Sequence, residues 1–133
     1  MKQVANAFEK LRVLVVDDER SVVKLLQMML RDIGVTQVFT AKDGMEALKF
    51  LGDCENLVNL IICDWNMPRM SGFELLQQIR TADPGMAFMM VTGRATVDAV
   101  RDARSLAVNA YVAKPFSQEQ IRKKLELLAR DLA

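Results

Sequence analysis

Residues able to do chemistry stand where the chain's apolar runs stop. Asp17, Asp18 and Glu19 follow the run 13–16, Asp64 follows 60–63, Thr92 follows 87–91, and Lys114 lies just past 110–112. Taken singly, each has an ordinary structural use: the paired acids as helix caps, Thr92 as a turn residue, Lys114 as a solvated charge. Brought together, they make a different proposition. Two carboxylates ~5 Å apart repel by ~3 kcal/mol at an effective dielectric of ~20, so a cluster of acids without a cation is a standing cost. A divalent cation removes that cost, and an all-oxygen set with few protein ligands suits Mg²⁺, which keeps several waters and shares its shell with phosphate. Lys114 then supplies a point charge to phosphate oxygens, Thr92 a hydroxyl donor, and a carboxylate the nucleophile that becomes an aspartyl phosphate. Asp64 suits that last role because it stands alone, whereas Asp17 and Asp18 are paired and better placed to hold the cation.

The elements that would position these groups alternate regularly. Strand-like runs at 13–16, 38–40, 60–63, 87–91 and 110–112 are separated by helix-like stretches. The first helix carries Val22, Leu25, Leu26, Met29, Leu30 and Ile33 as a stripe and closes at Gly34. Later helices are expected from Gly44, from Gly72, over 96–105 and from Ser117. Asp43 with Glu46, Ser71 with Glu74 and Ser117 with Gln120 stand at capping-box spacing. The last helix is the clearest, with Ile121, Leu125, Leu128 and Leu132 on one face. The helix over 96–105 offers only Val97 and Val100 as a stripe and is expected to be the least firmly packed. Strict strand and helix alternation implies a doubly wound α/β fold, a parallel sheet of five strands covered on both faces by five helices. Ligands of such sheets sit beyond the carboxyl ends of the strands, where the acids, Thr92 and Lys114 fall.

Composition sets outer bounds. The 133 residues suit one domain, expected over residues 11–133 behind an N-terminal extension of residues 1–10. A net charge of +1 lacks the field of a nucleic-acid binder, and no recognition-helix motif follows the sheet. Cys54 and Cys63 fit neither a zinc site nor a disulfide framework and are expected to be reduced, with Cys63 in the core. No apolar run approaches the roughly 20 residues of a membrane span, so a cytoplasmic protein is expected. With no histidine in the chain, Ser-His-Asp catalysis and internal phosphohistidine are excluded, and any phosphoryl donor must be another molecule.

The runs Val13-Leu14-Val15-Val16-Asp17-Asp18-Glu19, Cys63-Asp64-Trp65-Asn66-Met67-Pro68, Val91-Thr92-Gly93 and Tyr111-Val112-Ala113-Lys114-Pro115-Phe116 resemble bacterial response-regulator receiver domains, from about Arg12 to Leu132. The segment Asp64-Trp65-Asn66-Met67-Pro68 is especially similar to the stand-alone chemotaxis regulators. The resemblance implies a flavodoxin-like sheet of order 2-1-3-4-5. It further implies Mg²⁺ held by Asp18, Asp64 and the backbone carbonyl of Asn66, with Asp17 acting mainly through water. Asp64 would be the phosphoacceptor, assisted by Thr92 and Lys114, and the Lys114–Pro115 peptide would be cis. Thr92 and Tyr111 would form a switch pair that repacks the face of the fourth helix, fifth strand and fifth helix. Tyr111 also reads as a half-buried core aromatic, and Trp65 as a partly exposed reporter beside the site. Arg94 and Asn66 fall where family members tune acyl-phosphate lifetime. The turn at 107–110 lacks the usual glycine, and Asn109 is expected to take the left-handed position.

Function read this way is a phosphorylation-dependent binding module and not a turnover enzyme: self-phosphorylation and self-dephosphorylation only. The donor would be a sensor histidine kinase or phosphotransfer protein. The reader would be a protein at the fourth helix, fifth strand and fifth helix, with no nucleic-acid or membrane partner and the chain a monomer or a phosphorylation-dependent dimer. Between Arg94 and Lys124 stand seven basic and three acidic residues, either a solvated surface or, through Arg101, Arg104, Arg122 and Lys123, a site for an acidic peptide. Alternatives are a receiver cut from a longer regulator, a receiver-like scaffold that is never phosphorylated, and an aspartate-nucleophile phosphatase. The last would need Asp-x-Asp after the first strand, where this chain has Asp17-Asp18-Glu19.

Overall fold

A computed structural model of the chain describes residues 7–93 and 96–132, with the side chains of Ala7 and Leu132 left out. After a short 3-10 turn at Ala7–Lys10, the elements are β1 (Arg12–Val16), α1 (Arg20–Ile33), β2 (Gln37–Ala41), α2 (Gly44–Asp53), β3 (Leu60–Cys63), α3 (Gly72–Ala82), β4 (Ala87–Thr92), α4 (Val97–Ser105), β5 (Ala110–Ala113) and α5 (Gln118–Leu132). The strands form one parallel sheet in the order β2-β1-β3-β4-β5, the flavodoxin-like doubly wound arrangement.

Alternation of side chains along each strand divides the core in two. Val13, Val15, Leu60, Ile62, Met89 and Val91 face α1 and α5, meeting Leu26, Leu30, Ile121 and Leu125. Leu14, Val16, Ile61, Cys63, Phe88 and Met90 face the other way, against Leu75, Leu76, Ala99 and Ala103. Phe8 packs on the first of these cores, so the 3-10 turn is tied to the domain. Among the described residues, no helix is long and apolar enough to cross a membrane.

Helix ends follow local chemistry. Ser71 with Glu74 and Ser117 with Gln120 form reciprocal capping boxes. Asp43 caps Glu46 N–H, but the Glu46 carboxylate turns to Lys42 N–H instead of completing a box. Gly34 closes α1 at φ 122°. Three expectations need correction. Leu25, placed on the α1 stripe, is 40% exposed, because Leu26 and Leu30 already fill the face toward the sheet. On α4, Val97 is 75% exposed, and the residues turned inward are Ala99 and Ala103. An alanine methyl is worth ~0.8 kcal/mol against ~1.5–3 kcal/mol for a buried leucine, so α4 is held by less apolar burial than α3, which buries Leu75, Leu76 and Ile79.

The third correction concerns the turn before β5, where Ala107 and not Asn109 is left-handed, at φ 56°. The hydrogen bonds explain why. Val108 N–H donates to Ala103 O and Ala107 N–H to Arg104 O, the paired closure of a helix whose next residue past the cap must be left-handed. Asn109 is occupied elsewhere, its Oδ1 accepting from Phe88 N–H at 2.8 Å and from Arg80 at 3.1 Å. Arg80, near the end of α3, also donates to Leu106 O, Met86 O and Ala107 O, so one guanidinium staples α3 to the turn that launches β5.

Candidate functional site

Parallel register brings the sequence-predicted residues to one edge. Val16 of β1 pairs with Cys63 of β3, which sets Asp17 and Asp64 side by side one residue further on. Asp17 N–H donates to Ala41 O and Asp64 N–H to Val16 O, extending the ladder to both acids. Thr92 pairs with Ala113, and Lys114 N–H donates to Thr92 O at 2.9 Å, so the lysine leaves the sheet beside the acids. Oxygens of Asp17, Asp18 and Asp64 all lie within 4.8 Å of one another; Asp17 and Asp64 are buried and Asp18 is exposed. Lys114 Nζ stands 3.2 Å from Asp17 Oδ2, 3.4 Å from Asp64 Oδ2 and 3.9 Å from Glu19 Oε1. The Lys114–Pro115 peptide is cis. Sequence reasoning had not placed Glu19 against Lys114; it caps nothing with its side chain, which leaves the carboxylate available to lean toward the amine.

One ammonium faces three clustered carboxylates, so negative charge is in excess. Burial pushes the Asp17 carboxyl up, with the Asp64 charge adding to it; the Glu19 N–H bond at 2.9 Å and Lys114 only partly offset the rise. For Lys114, partial burial works against the charged form, but Asp17 and Asp64 outweigh it and raise the amine above its usual value. The buried pair of Asp17 and Asp64 at this spacing costs roughly 3 kcal/mol at a dielectric of ~20. The cluster is therefore a ready cation site.

The chain behind Asp64 is shaped by a close approach. Gly72 N–H donates to Trp65 O at 2.6 Å, and a Cβ on Gly72 would fall 2.1 Å from Asp64 O, so the α3 start accepts only glycine without moving the backbone that carries Asp64. Cys63 is buried as expected, and its thiol, kept protonated chiefly by burial, donates to the same Asp64 O at 3.1 Å. Trp65 departs from expectation: it is only 8% exposed and stacks on Phe73 at 5.4 Å between ring centroids, because the Gly72 contact folds α3 over it. Asn66 is exposed in the same loop. Thr92 is fully buried and Tyr111 half-buried; strand pairing and alternation put them on one face of the sheet as diagonal neighbours. Arg94 lies outside the described residues.

Replacing Asp17 by Asn removes a charge whose ionised form is disfavoured in the fold. Since the folded-state carboxyl titrates above its unfolded value, stability falls as pH rises through that interval. In chelator-treated protein, Asp17→Asn is expected to raise the unfolding midpoint at neutral pH by about 1 kcal/mol of stability, with the advantage vanishing below the usual Asp pKa of 3.8. Urea unfolding of both proteins across that range checks the sign.

Comparison with known proteins agrees with this geometry. The family model described as response regulator receiver domain matches residues 13–126. The chain is 34% identical over 118 residues to the chemotaxis protein CheY of Pseudomonas aeruginosa, covering 87% of this chain and 94% of that protein. It is 32% identical over 130 residues to the chemotaxis protein CheY-3 of Vibrio cholerae, covering 95% of each. Among solved structures, the chemotaxis protein CheY4 of Vibrio cholerae superposes with a TM-score of 0.80 at 30% identity, over 88% of this chain and 97% of that one. A response regulator receiver domain protein from Clostridium thermocellum reaches 0.84 at 26% identity, over 91% and 95%. By sequence, fold and the acids gathered at its sheet edge, this chain belongs to the response regulator receiver domain family.

Proposed function

We propose that the chain is a phosphorylation switch acting in the cytoplasm. Asp64 accepts a phosphoryl group from a histidine kinase or phosphotransfer protein, and the face of α4, β5 and α5 passes the change to a protein partner. The observation that carries the reading is the buried Asp64 carboxylate 3.4 Å from Lys114 Nζ, inside a cluster of acidic oxygens. Transfer forms a bond from an Asp64 oxygen to phosphorus and breaks the donor's phosphorus–nitrogen bond, whose electron pair stays on the imidazole and takes up a proton. Lys114 compensates charge on the phosphoryl oxygens, and Thr92, at the end of β4, offers a hydroxyl to one of them. The Asp64 acyl phosphate is then lost to water within the same site, so the chemistry is confined to the protein's own aspartate.

The donor set fits magnesium. Two oxygens on one Mg²⁺ at about 2.0–2.1 Å lie at most about 4.2 Å apart, close to the spacing of the acids here, all within 4.8 Å. The resemblance to receiver domains makes Asp18 and Asp64 the direct ligands, with Asp17 acting through bound water. The backbone carbonyl of Asn66 completes the protein share. When bound, Mg²⁺ neutralises the excess carboxylate charge and the charge on the incoming phosphoryl group.

The receiving face is apolar at its centre and basic at its edge. Val97 and Val100 share a groove with Thr96, Arg101 and Arg104, and Tyr111 lines a second groove with Val100, Arg104 and Lys124. Arg122 contributes less than its sequence position suggests, because Glu119 and Glu126 already pair with it. An acidic amphipathic segment suits this surface, and the relatives named chemotaxis proteins support a role in chemotaxis.

Trp65, next to Asp64 in the chain and stacked on Phe73, is the natural reporter for the site. Its fluorescence is expected to change on titration with Mg²⁺ and again with beryllofluoride, the second step being lost in Asp64→Asn; a silent wild-type protein contradicts the reading. With a Glu-rich amphipathic peptide as probe, the beryllofluoride-loaded protein is expected to lose at least about tenfold in affinity on exchange of Arg101 and Arg104 for Glu. Equal binding by the two proteins rejects the basic edge as the contact.

A further inference from the structure

The loop between β3 and α3 contains a turn that its own sequence does not favour. Met70 N–H donates to Pro68 O at 2.7 Å around Arg69, whose φ is 68°. This is the γ-turn of positive φ, rare and strained for a residue with a side chain, and such turns persist only where the surroundings hold them. Here two contacts to the start of α2 do so. The Arg69 guanidinium pairs with Asp43 Oδ2, while Asp43 Oδ1 accepts Glu46 N–H at 2.8 Å, so one carboxylate both caps α2 and grips the loop. Met70, itself buried, lies so tightly on Gly44 that a Cβ there would come within 2.8 Å of its sulfur.

The ion pair is asymmetric in a telling way. The Asp43 side chain is 4% exposed and that of Arg69 67%. A carboxylate that deep is costly unless partnered, and Asp43 is held below the usual carboxylate range first by the Glu46 N–H and then by Arg69. The same α2 entry borders the site, since Lys42 and Glu46 line the depression that contains Asp17 and Asp18. The β3–α3 loop leaves the same acid cluster from the β3 side, with Trp65 and Asn66 following Asp64 directly in the chain.

We propose that Arg69 is a positioning residue of the cation site: its pairing with Asp43 locks the γ-turn and so sets the segment 64–66 in the form that presents oxygens to a divalent cation. The inference rests on the magnesium-dependent reading given above. It makes a prediction opposite in sign to simple electrostatics. Removing a positive charge beside an acidic pocket would by itself tighten cation binding, whereas loosening the loop weakens it.

The test uses the whole chain and two readouts. In Arg69→Ala, Mg²⁺ affinity followed by Trp65 fluorescence is expected to fall about tenfold, the usual scale for removing a residue that orients metal ligands. In chelator-treated protein, amides of residues 65–70 should exchange with solvent faster by more than any drop in global unfolding stability accounts for. Arg69→Gly, which adopts positive φ freely but cannot pair, should show the same faster exchange. Asp43→Asn keeps the α2 cap but loses the pair, and combining it with Arg69→Ala should weaken Mg²⁺ binding no further than the worse single variant. Arg69→Ala protein that binds Mg²⁺ as tightly as wild type, or more tightly, with wild-type exchange in the loop, overturns the proposal and leaves the magnesium reading standing. A wild-type protein with no Mg²⁺ response brings down both.

Discussion

Excess negative charge at the carboxyl edge of the sheet is the constraint from which the rest of the molecule follows. Two strands carry it there. The pairing of β1 with β3 leaves Asp17 and Asp64 no choice but to be neighbours, and Asp18 follows on the same turn. Lys114 arrives from β5 on the far side and reaches both buried acids, yet one amine cannot balance the group. The fold tolerates the imbalance because its apolar core is continuous on both faces of the sheet, with β1, β3 and β4 buried almost to completion. Stability won in the core is spent at the edge, where a cation and a phosphoryl group can later recover it.

Backbone bonds tie that edge to the last two strands. Lys114 is hydrogen-bonded to Thr92 O, so the amine and the hydroxyl belong to one rigid corner of the sheet. Tyr111 stands on the same strand as the lysine approach, three residues earlier. Beyond it α4 is anchored by two alanines and capped at its end by a left-handed Ala107, with Arg80 gripping the turn from α3. A helix with so little buried side chain is free to shift at small cost, whereas α3 and α5 are held by several large residues each. In the proposed function, a change in charge at Asp64 is passed to α4 and β5, and the light anchoring of α4 supports that reading.

The parallel sheet and the identity of the clustered acids were legible because they rest on local periodicity and on residues at strand ends, whereas the strand order came from the resemblance to receiver domains. Asp17, Asp18, Asp64, Thr92 and Lys114 needed no tertiary knowledge beyond the rule that parallel sheets gather their carboxyl ends. What escaped reading depends on partners distant in sequence. Arg80 looks like a surface charge until the turn at Leu106–Asn109 folds against it, and Arg69 looks like a loop residue until Asp43, 26 positions earlier, is beneath it. Trp65 was misjudged for a related reason: its cover comes from α3, through a glycine contact that no pattern of hydrophobicity announces. On α4 the two valines formed a plausible stripe, but the narrow space against the sheet admits alanine, so Val97 turns outward.

The claim that stands under all of this is that one carboxylate, Asp64, takes the phosphoryl group with the help of a cation held by its acidic neighbours. Intact-mass measurement of the protein after incubation with acetyl phosphate addresses it most directly. A single acid-labile phosphoryl adduct that requires Mg²⁺, disappears with chelator and is absent from Asp64→Ala is the expected result. An unmodified wild-type protein, or an adduct that persists in Asp64→Ala, contradicts the account.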